Sequence, residues 1–394
     1  MIINKADRLN SVKEYYFSSK LRQIKELNEK GMNVLNLAIG SPDLAPHSTV
    51  IEALSSNAFN KTMHGYQSYK GIDELRIAMA NYYKLTYGVS LDYVREILPL
   101  MGSKEGIMHI TQAFINKGDT VLVPDPGYPT YSAVSELAGA NIECYHLQEG
   151  NNYQPDIESL KKMDLNKVKI MWLNFPNMPT GAEPDPEVMK ALVELAKTHK
   201  FLLINDNPYS RILIKEPFSI FQIDGAFEVA LELNSLSKSH NMAGWRLGWV
   251  SGKAAYIDTV LSIKSNADSG MFYPLQLAAS KALQLGDDWY SDLNVLYKKR
   301  QRKIFELFDL LDCSYNPEQV GLFVWARVPD ELGNVETLVD DLIFNAEVFI
   351  TPGKIFGKNG DRYLRASLCN NEEVLDIALA RVKCFVEKKA EQAV

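Results

Sequence analysis

Lys238 stands in the run Ser235-Leu236-Ser237-Lys238-Ser239-His240-Asn241-Met242-Ala243-Gly244-Trp245-Arg246. An apolar stretch directly before it (Val229, Leu231, Leu233) has the character of a buried strand. A lysine at the end of a buried strand is partly desolvated, and Arg246, eight residues on, puts a second cation nearby. Both effects lower the pKa of an amine and leave a nucleophile suited to forming a Schiff base. Arg246 and the hydroxyls of Ser235 and Ser237 make a set that can hold a dianionic phosphate. The plainer alternative is an ordinary surface lysine after a strand.

Three further segments could serve the same chemistry. Asp206, in Asp206-Asn207-Pro208-Tyr209, follows the apolar run Phe201 to Ile204. That places a carboxylate at the C-terminal edge of a sheet, where ligands of open α/β folds bind; otherwise an aspartate there is simply a turn former. Gly102-Ser103-Lys104 precedes a helical pattern, and the free N–H groups and dipole of a helix start attract anions. A plain N-cap by Ser103 is compatible with that role. The rigid turn Asp125-Pro126-Gly127-Tyr128 presents an aromatic face able to stack on a planar ring, with core packing as the alternative for Tyr128.

The elements that must position these groups follow an α/β pattern between about residues 100 and 250. A helix is predicted from Ser103 to Asn116, stopped by Gly118, then a strand Thr120 to Val123 and a helix ending near Gly139. A strand Lys169 to Leu173, a helix Glu187 to His199 and strands Phe201 to Ile204 and Val229 to Leu233 continue the series. The strands are apolar on both sides, so helices should cover both faces of the sheet. After residue 270 the style changes. A long helix from Asp288 to Leu311 precedes an alternating strand Gly321 to Val328, a strand Tyr363 to Leu368 and a final amphipathic helix starting near Glu372. This reads as a smaller α+β domain. A helix Phe17 to Leu27, ended by Gly31, would bridge the two.

With 394 residues and dispersed basic groups in a net charge of −7, the chain suits two domains and offers no nucleic-acid surface. Its longest apolar runs are strand-length, so no membrane span is expected. Met1 to Arg8 lacks the apolar core of a signal peptide. Cys144, Cys313, Cys369 and Cys384 lie far apart without metal-ligand or redox spacing, which points to the cytoplasm and to no bound metal.

Taken in order, these segments resemble those of fold-type I aminotransferases, the aspartate aminotransferase family, over residues 15 to 385. The resemblance implies pyridoxal phosphate on Lys238, with Asp206 paired to the protonated pyridine nitrogen so that the ring withdraws electrons more strongly. It implies that Tyr128 stacks on the ring and that Tyr209 donates to its phenolic oxygen. Gly102, Ser103, Lys104, Ser235, Ser237 and Arg246 would hold the phosphate. The segment Asn174-Phe175-Pro176-Asn177-Met178-Pro179-Thr180-Gly181 resembles the family's Asn-Pro-Thr-Gly turn, whose asparagine bonds the phenolic oxygen. Here Met178 precedes Pro179, and a thioether cannot donate a hydrogen bond. Either Asn177 reaches the ring through a shifted turn, or Tyr209 does that work without it.

Arg365 matches the family's arginine for the substrate α-carboxylate, and Gly40 the loop whose backbone faces that group. Tyr66 matches a tyrosine that reaches the phosphate of the partner subunit, and Asn266 to Gly270 a loop across the dimer interface. The resemblance therefore implies a homodimer with shared active sites. It also implies a mostly parallel, helix-covered α/β sheet over residues 46–275, with residues 1–45 and 276–394 in a small α+β domain.

The expected activity is transfer of an amino group from an L-amino acid to a 2-oxo acid, commonly 2-oxoglutarate, through the Lys238 Schiff base. A carbon–sulfur β-lyase or a decarboxylase on the same fold is the first rival, because the motifs do not fix which bond breaks. A regulatory module that senses pyridoxal phosphate is the second, and would carry a DNA-binding domain ahead of a pattern that here begins near residue 15. The Tyr15-Tyr16-Phe17 start and the Asn266 to Phe272 segment resemble the LL-diaminopimelate and aspartate-type subgroup. That leans toward an acidic or diamino-dicarboxylic substrate.

Overall fold

The computed structural model describes residues 2–10 and 16–392; Tyr15 lies outside the described residues. In chain order the strands are β1 (Leu35–Asn36), β2 (Ile97–Leu100), β3 (Thr120–Asp125), β4 (Asn141–His146), β5 (Val168–Leu173), β6 (Leu202–Asp206) and β7 (Ala230–Ser235). They continue as β8 (Gly248–Gly252), β9 (Ser314–Tyr315), β10 (Phe323–Arg327), β11 (Val348–Phe349), β12 (Thr351–Pro352) and β13 (Tyr363–Ser367).

Seven of these strands form one sheet in the order β2-β8-β7-β6-β5-β3-β4. It is parallel from β7 to β4, while β8 runs antiparallel between β2 and β7. Strands β3, β6 and β7 are buried along their whole length. Helices on both faces account for this. Leu233, Val121 and Trp172 join one core beneath Ile107 and Ile110 of the helix Ser103–Phe114. Met171, Leu203 and Phe175 join the other, beneath Met189, Leu192 and Val193 of the helix Pro186–His199. That helix starts as its sequence dictates, with Pro186 in the first turn and the Asp185 carboxylate accepting from the Glu187 N–H at 2.9 Å. The parallel strands all end at one edge, which carries Asp125, Asp206 and Ser235 together.

A second, antiparallel sheet has the order β12-β13-β10-β9, and the pair β1-β11 brings the N-terminal segment back to it. Its core includes Phe308, Leu342, Phe349, Leu364 and Ile24, the last from the bridging helix Tyr16–Glu29. The helix Tyr273–Ala282 runs across residue 275. Its Ala278, Ala279 and Ala282 share a core with Val50, Leu75 and Met79, against the helices Ser48–Ala58 and Asp73–Tyr87. Residues 276–283 therefore sit with the larger unit, and Leu293 in the helix Asp287–Asp309 is where the chain enters the smaller core. No helix among the described residues is long and apolar enough to cross a membrane.

Candidate active site

Lys238 lies on a one-turn helix, Leu236–Ser239, that starts where β7 stops. Ser235 caps it, its hydroxyl accepting from the Ser237 N–H at 3.1 Å. The next residues are braced from the first turn of the long helix. The Trp289 indole donates to the Ser239 carbonyl at 2.9 Å, and His240 sits between the hydroxyls of Ser239 (2.9 Å) and Tyr290 (3.0 Å). Burial pushes His240 down to about 3, so this brace stays neutral at physiological pH. Lys238 itself is pulled below the ordinary lysine range, first by burial, with Arg365 and Arg246 adding to the effect while Cys369 and Asp206 oppose it. Its Nζ donates to the Gly40 carbonyl oxygen.

Asp206 ends β6 and faces the same cavity, whose volume is about 450 Å³. One carboxylate oxygen accepts from the Tyr131 hydroxyl at 2.8 Å, and Tyr131 is held by stacking on Trp172 with ring centroids 4.9 Å apart. The other oxygen, Oδ1, is buried without a hydrogen-bond partner among the described residues. Burial raises the carboxyl from 3.8 to about 6, against the opposing effects of Tyr131 and Lys238. A buried acceptor left open in this way is costly unless a ligand donor meets it.

The helix Ser103–Phe114 begins at Gly102, whose φ of 92° favours glycine. A Cβ at that position would lie 2.2 Å from Nη2 of Arg246, so the glycine lets the guanidinium close over the helix start. Ser103, Lys104, Ser235, Ser237 and Arg246 all line the cavity there, with Gly102 backing Arg246. Two cations, several hydroxyls and a helix N-terminus make an anion cradle. Tyr128 and Tyr209 also line the cavity, and the Lys104 ammonium lies 6.0 Å from the Tyr128 ring centroid.

Arg365 reaches the cavity from β13 of the second sheet. Its Nη2 donates to the Ala38 carbonyl at 2.9 Å and its Nη1 points at the Met178 sulfur at 3.1 Å. The guanidinium carbon lies 3.8 Å from the Phe323 ring centroid and 4.5 Å from that of Phe356. Both packings fix the planar fork, which suits a carboxylate. A Cβ on Gly40 would fall 2.2 Å from Cζ of Phe323, so a larger residue there would displace that ring.

Asn177 and Tyr66 lie outside the lining of this cavity. Asn177 does not line the cavity: its amide donates to the Asn174 carbonyl at 3.1 Å and accepts from the Thr180 hydroxyl at 2.7 Å. Here the turn uses the hydrogen-bonding groups of Asn177 locally. Asn174 lines the cavity instead, its amide bonded to the Asp206 carbonyl at 2.5 Å and to the Met178 N–H at 2.9 Å. Its role was not expected, although it directly follows β5 at the same edge as Asp206. Tyr66 is 92% exposed and lies with Ser269 and Phe272 around a separate depression, so a single chain does not bring it to Lys238. Tyr131, Phe323 and Phe356 were also missed; nothing local distinguishes them from core aromatics.

The donor set fits pyridoxal phosphate: a desolvated amine, an open carboxylate oxygen for a pyridinium N–H, and a cationic cradle for a phosphate. The family model for aminotransferase class I and II matches residues 32–382. The chain belongs to this family. As a class I and II aminotransferase it depends on pyridoxal phosphate. It is similar to the LL-diaminopimelate aminotransferase of Natranaerobius thermophilus, 37% identical over 96% of this chain and 98% of that protein. The corresponding enzyme of Maridesulfovibrio salexigens is likewise 37% identical over 96% and 98%. Among solved structures, substrate-bound BacF from Bacillus subtilis shares 34% identity with a TM-score of 0.92, covering 98% of each chain.

Proposed function

We propose that this aminotransferase moves an amino group from an L-amino acid to 2-oxoglutarate, with Lys238 as the catalytic amine. What carries the reading is one cavity that gathers a desolvated lysine, a carboxylate with an open oxygen, an anion cradle and a clamped arginine from two sheets. Bound pyridoxal phosphate supplies an aldehyde for amine exchange and a ring that withdraws electrons from the substrate α-carbon.

The chain's own groups do the rest. Lys238, its pKa lowered by burial, would take a proton from the α-carbon and return it across the substrate nitrogen, a 1,3 shift. Asp206 holds the proton on the ring nitrogen. Tyr209, whose hydroxyl burial pushes far above the usual tyrosine range, stays protonated and donates to the phenolic oxygen. Arg365 and the Gly40 backbone fix the α-carboxylate, and the apolar walls from Phe323, Phe356, Met178 and Ile39 exclude water.

In this reading residues 46–286 form the large domain and the remainder the small one, and two subunits exchange Tyr66 and the 266–272 loop. Likeness to enzymes named for LL-diaminopimelate supports an acidic or diamino-dicarboxylic donor. The four free cysteines suit a reducing compartment, and we assign the enzyme to the cytoplasm. A panel of amino donors with 2-oxoglutarate, followed by single-turnover spectra, tests the proposal. Production of glutamate and the cognate oxo acid is expected. Release of ammonia and pyruvate from a cystathionine-like substrate, without glutamate, would make the chain a β-lyase.

A further inference from the structure

The helix that starts at the anion cradle carries a second, buried group of charges that the site does not use. Glu105 and His109 lie one turn apart on its face toward the helix Ala254–Lys264 and the loop that follows. The side chains of Lys264 and Asp268 are 3% and 4% exposed, and Lys264 Nζ donates to Asp268 Oδ2 at 2.6 Å. Asp268 Oδ1 accepts from the Gly270 N–H at 2.8 Å, while Glu105 Oε2 accepts from the Met101 N–H at 2.6 Å. Glu105 Oε1 lies 3.3 Å from His109 Nε2, yet among the described residues neither ring nitrogen of this buried histidine has a hydrogen bond of good geometry. Ligand atoms of Glu105, His109 and Asp268 all fall within 4.8 Å of one another.

Buried ion pairs are weak stabilisers, and apolar replacements often hold a fold equally well. The arrangement therefore points to positioning. The Lys264 ammonium already pairs with Asp268, and Glu105 takes the Met101 N–H. From Asp268 the connection continues outward. Gly270 rests on the Tyr66 segment so closely that a Cβ would meet the Gln67 carbonyl oxygen at 2.4 Å, and the His64 and Phe272 rings stand 5.7 Å apart.

We propose that Glu105, His109, Lys264 and Asp268 are positioning residues that lock the 266–272 loop, and with it Tyr66, to the helix of the phosphate cradle. The arm given to the partner subunit then keeps a fixed place relative to this subunit's own cradle. The inference rests on the shared-site reading above.

The test compares Tyr66→Phe, the charge-free pair Lys264→Met/Asp268→Leu, and His109→Leu in the full-length enzyme. Two quantities are measured: the pyridoxal phosphate dissociation constant by equilibrium dialysis, and the melting temperature of the cofactor-free protein. Tyr66→Phe should raise the dissociation constant about tenfold, the loss of one charge-assisted hydrogen bond. The paired swap should keep the melting temperature near wild type while weakening the cofactor to a similar degree. His109→Leu should weaken it in the same direction, and carries the test if the paired variant does not fold. Wild-type cofactor affinity in the folded cluster variants, with Tyr66→Phe impaired, would overturn the positioning role alone. An unimpaired Tyr66→Phe would remove the shared-site reading. A melting temperature that rises with added zinc and falls with EDTA would make the cluster a metal site and overturn the proposal.

Discussion

Replacing Asp206 with asparagine should change how the stability of the cofactor-free protein responds to pH. Burial lifts the Asp206 carboxyl from 3.8 to about 6, so the folded state binds this proton more tightly than the unfolded chain does. A carboxyl raised in this way contributes stability that is complete below its unfolded pKa and is lost as pH climbs through the folded value. A shift of about two units corresponds to about 3 kcal/mol. Asparagine keeps the shape and can still accept from the Tyr131 hydroxyl, but has no proton to lose. The stability of Asp206→Asn relative to wild type should therefore rise by about 3 kcal/mol between about pH 4 and about pH 7. Urea unfolding of both apoproteins across that range measures it. With cofactor bound the order should reverse, because the ring N–H needs an ionised partner in a dry site. The variant should bind pyridoxal phosphate more weakly and turn over orders of magnitude more slowly. Parallel stability profiles for the two apoproteins would refute the argument, since they would mean that Asp206 is not desolvated.

Lys238→Ala should abolish turnover and leave the circular dichroism of the cofactor-free protein unchanged, because the side chain that is lost projects into the cavity and not into the core; conversion of amino acid to oxo acid at a comparable rate would contradict its role. Arg365→Lys should raise KM for amino acid and oxo acid alike, by about 2–4 kcal/mol of lost binding, while amines without a carboxylate are unaffected. Gly40→Ala forces a methyl against Phe323, so it should cost about 1–3 kcal/mol in urea unfolding and also raise KM through displaced packing on Arg365. Mixing a Tyr66→Phe/Lys238→Ala variant with wild type should give heterodimers whose activity per intact lysine is below that of the wild-type homodimer; fully active monomers in sedimentation would exclude shared sites.

The large α/β sheet was legible because its strands are apolar on both faces and end in polar turns. β3, β5, β6 and β7 fall within a residue or two of their expected starts, and Lys238 and Asp206 stand where such strands end. β4 was not legible. It is an edge strand with Asn141, Glu143, Cys144 and His146 exposed, so it carries no hydrophobic signal. β8 was hidden because Gly248 to Gly252 continues the glycine-rich lysine segment without a break in character.

What the sequence determined by itself was the apolar, two-sided strands, most helices and the chemical kind of the site, since these depend on residues close together in the chain. Periodicity, caps and turn residues are local, and so are a lysine and an aspartate at strand ends. Only the tertiary structure decided which of two asparagines in one turn faces the cavity, because Thr180 ties up the amide of Asn177. It also decided that the helix Tyr273–Ala282 packs with the larger unit, since its alanines could serve either core. The setting of Arg365 comes from Ala38, Met178, Phe323 and Phe356, which lie far apart in the chain. Such neighbours are chosen by shape and burial once the two sheets meet, and no short stretch of sequence contains that information.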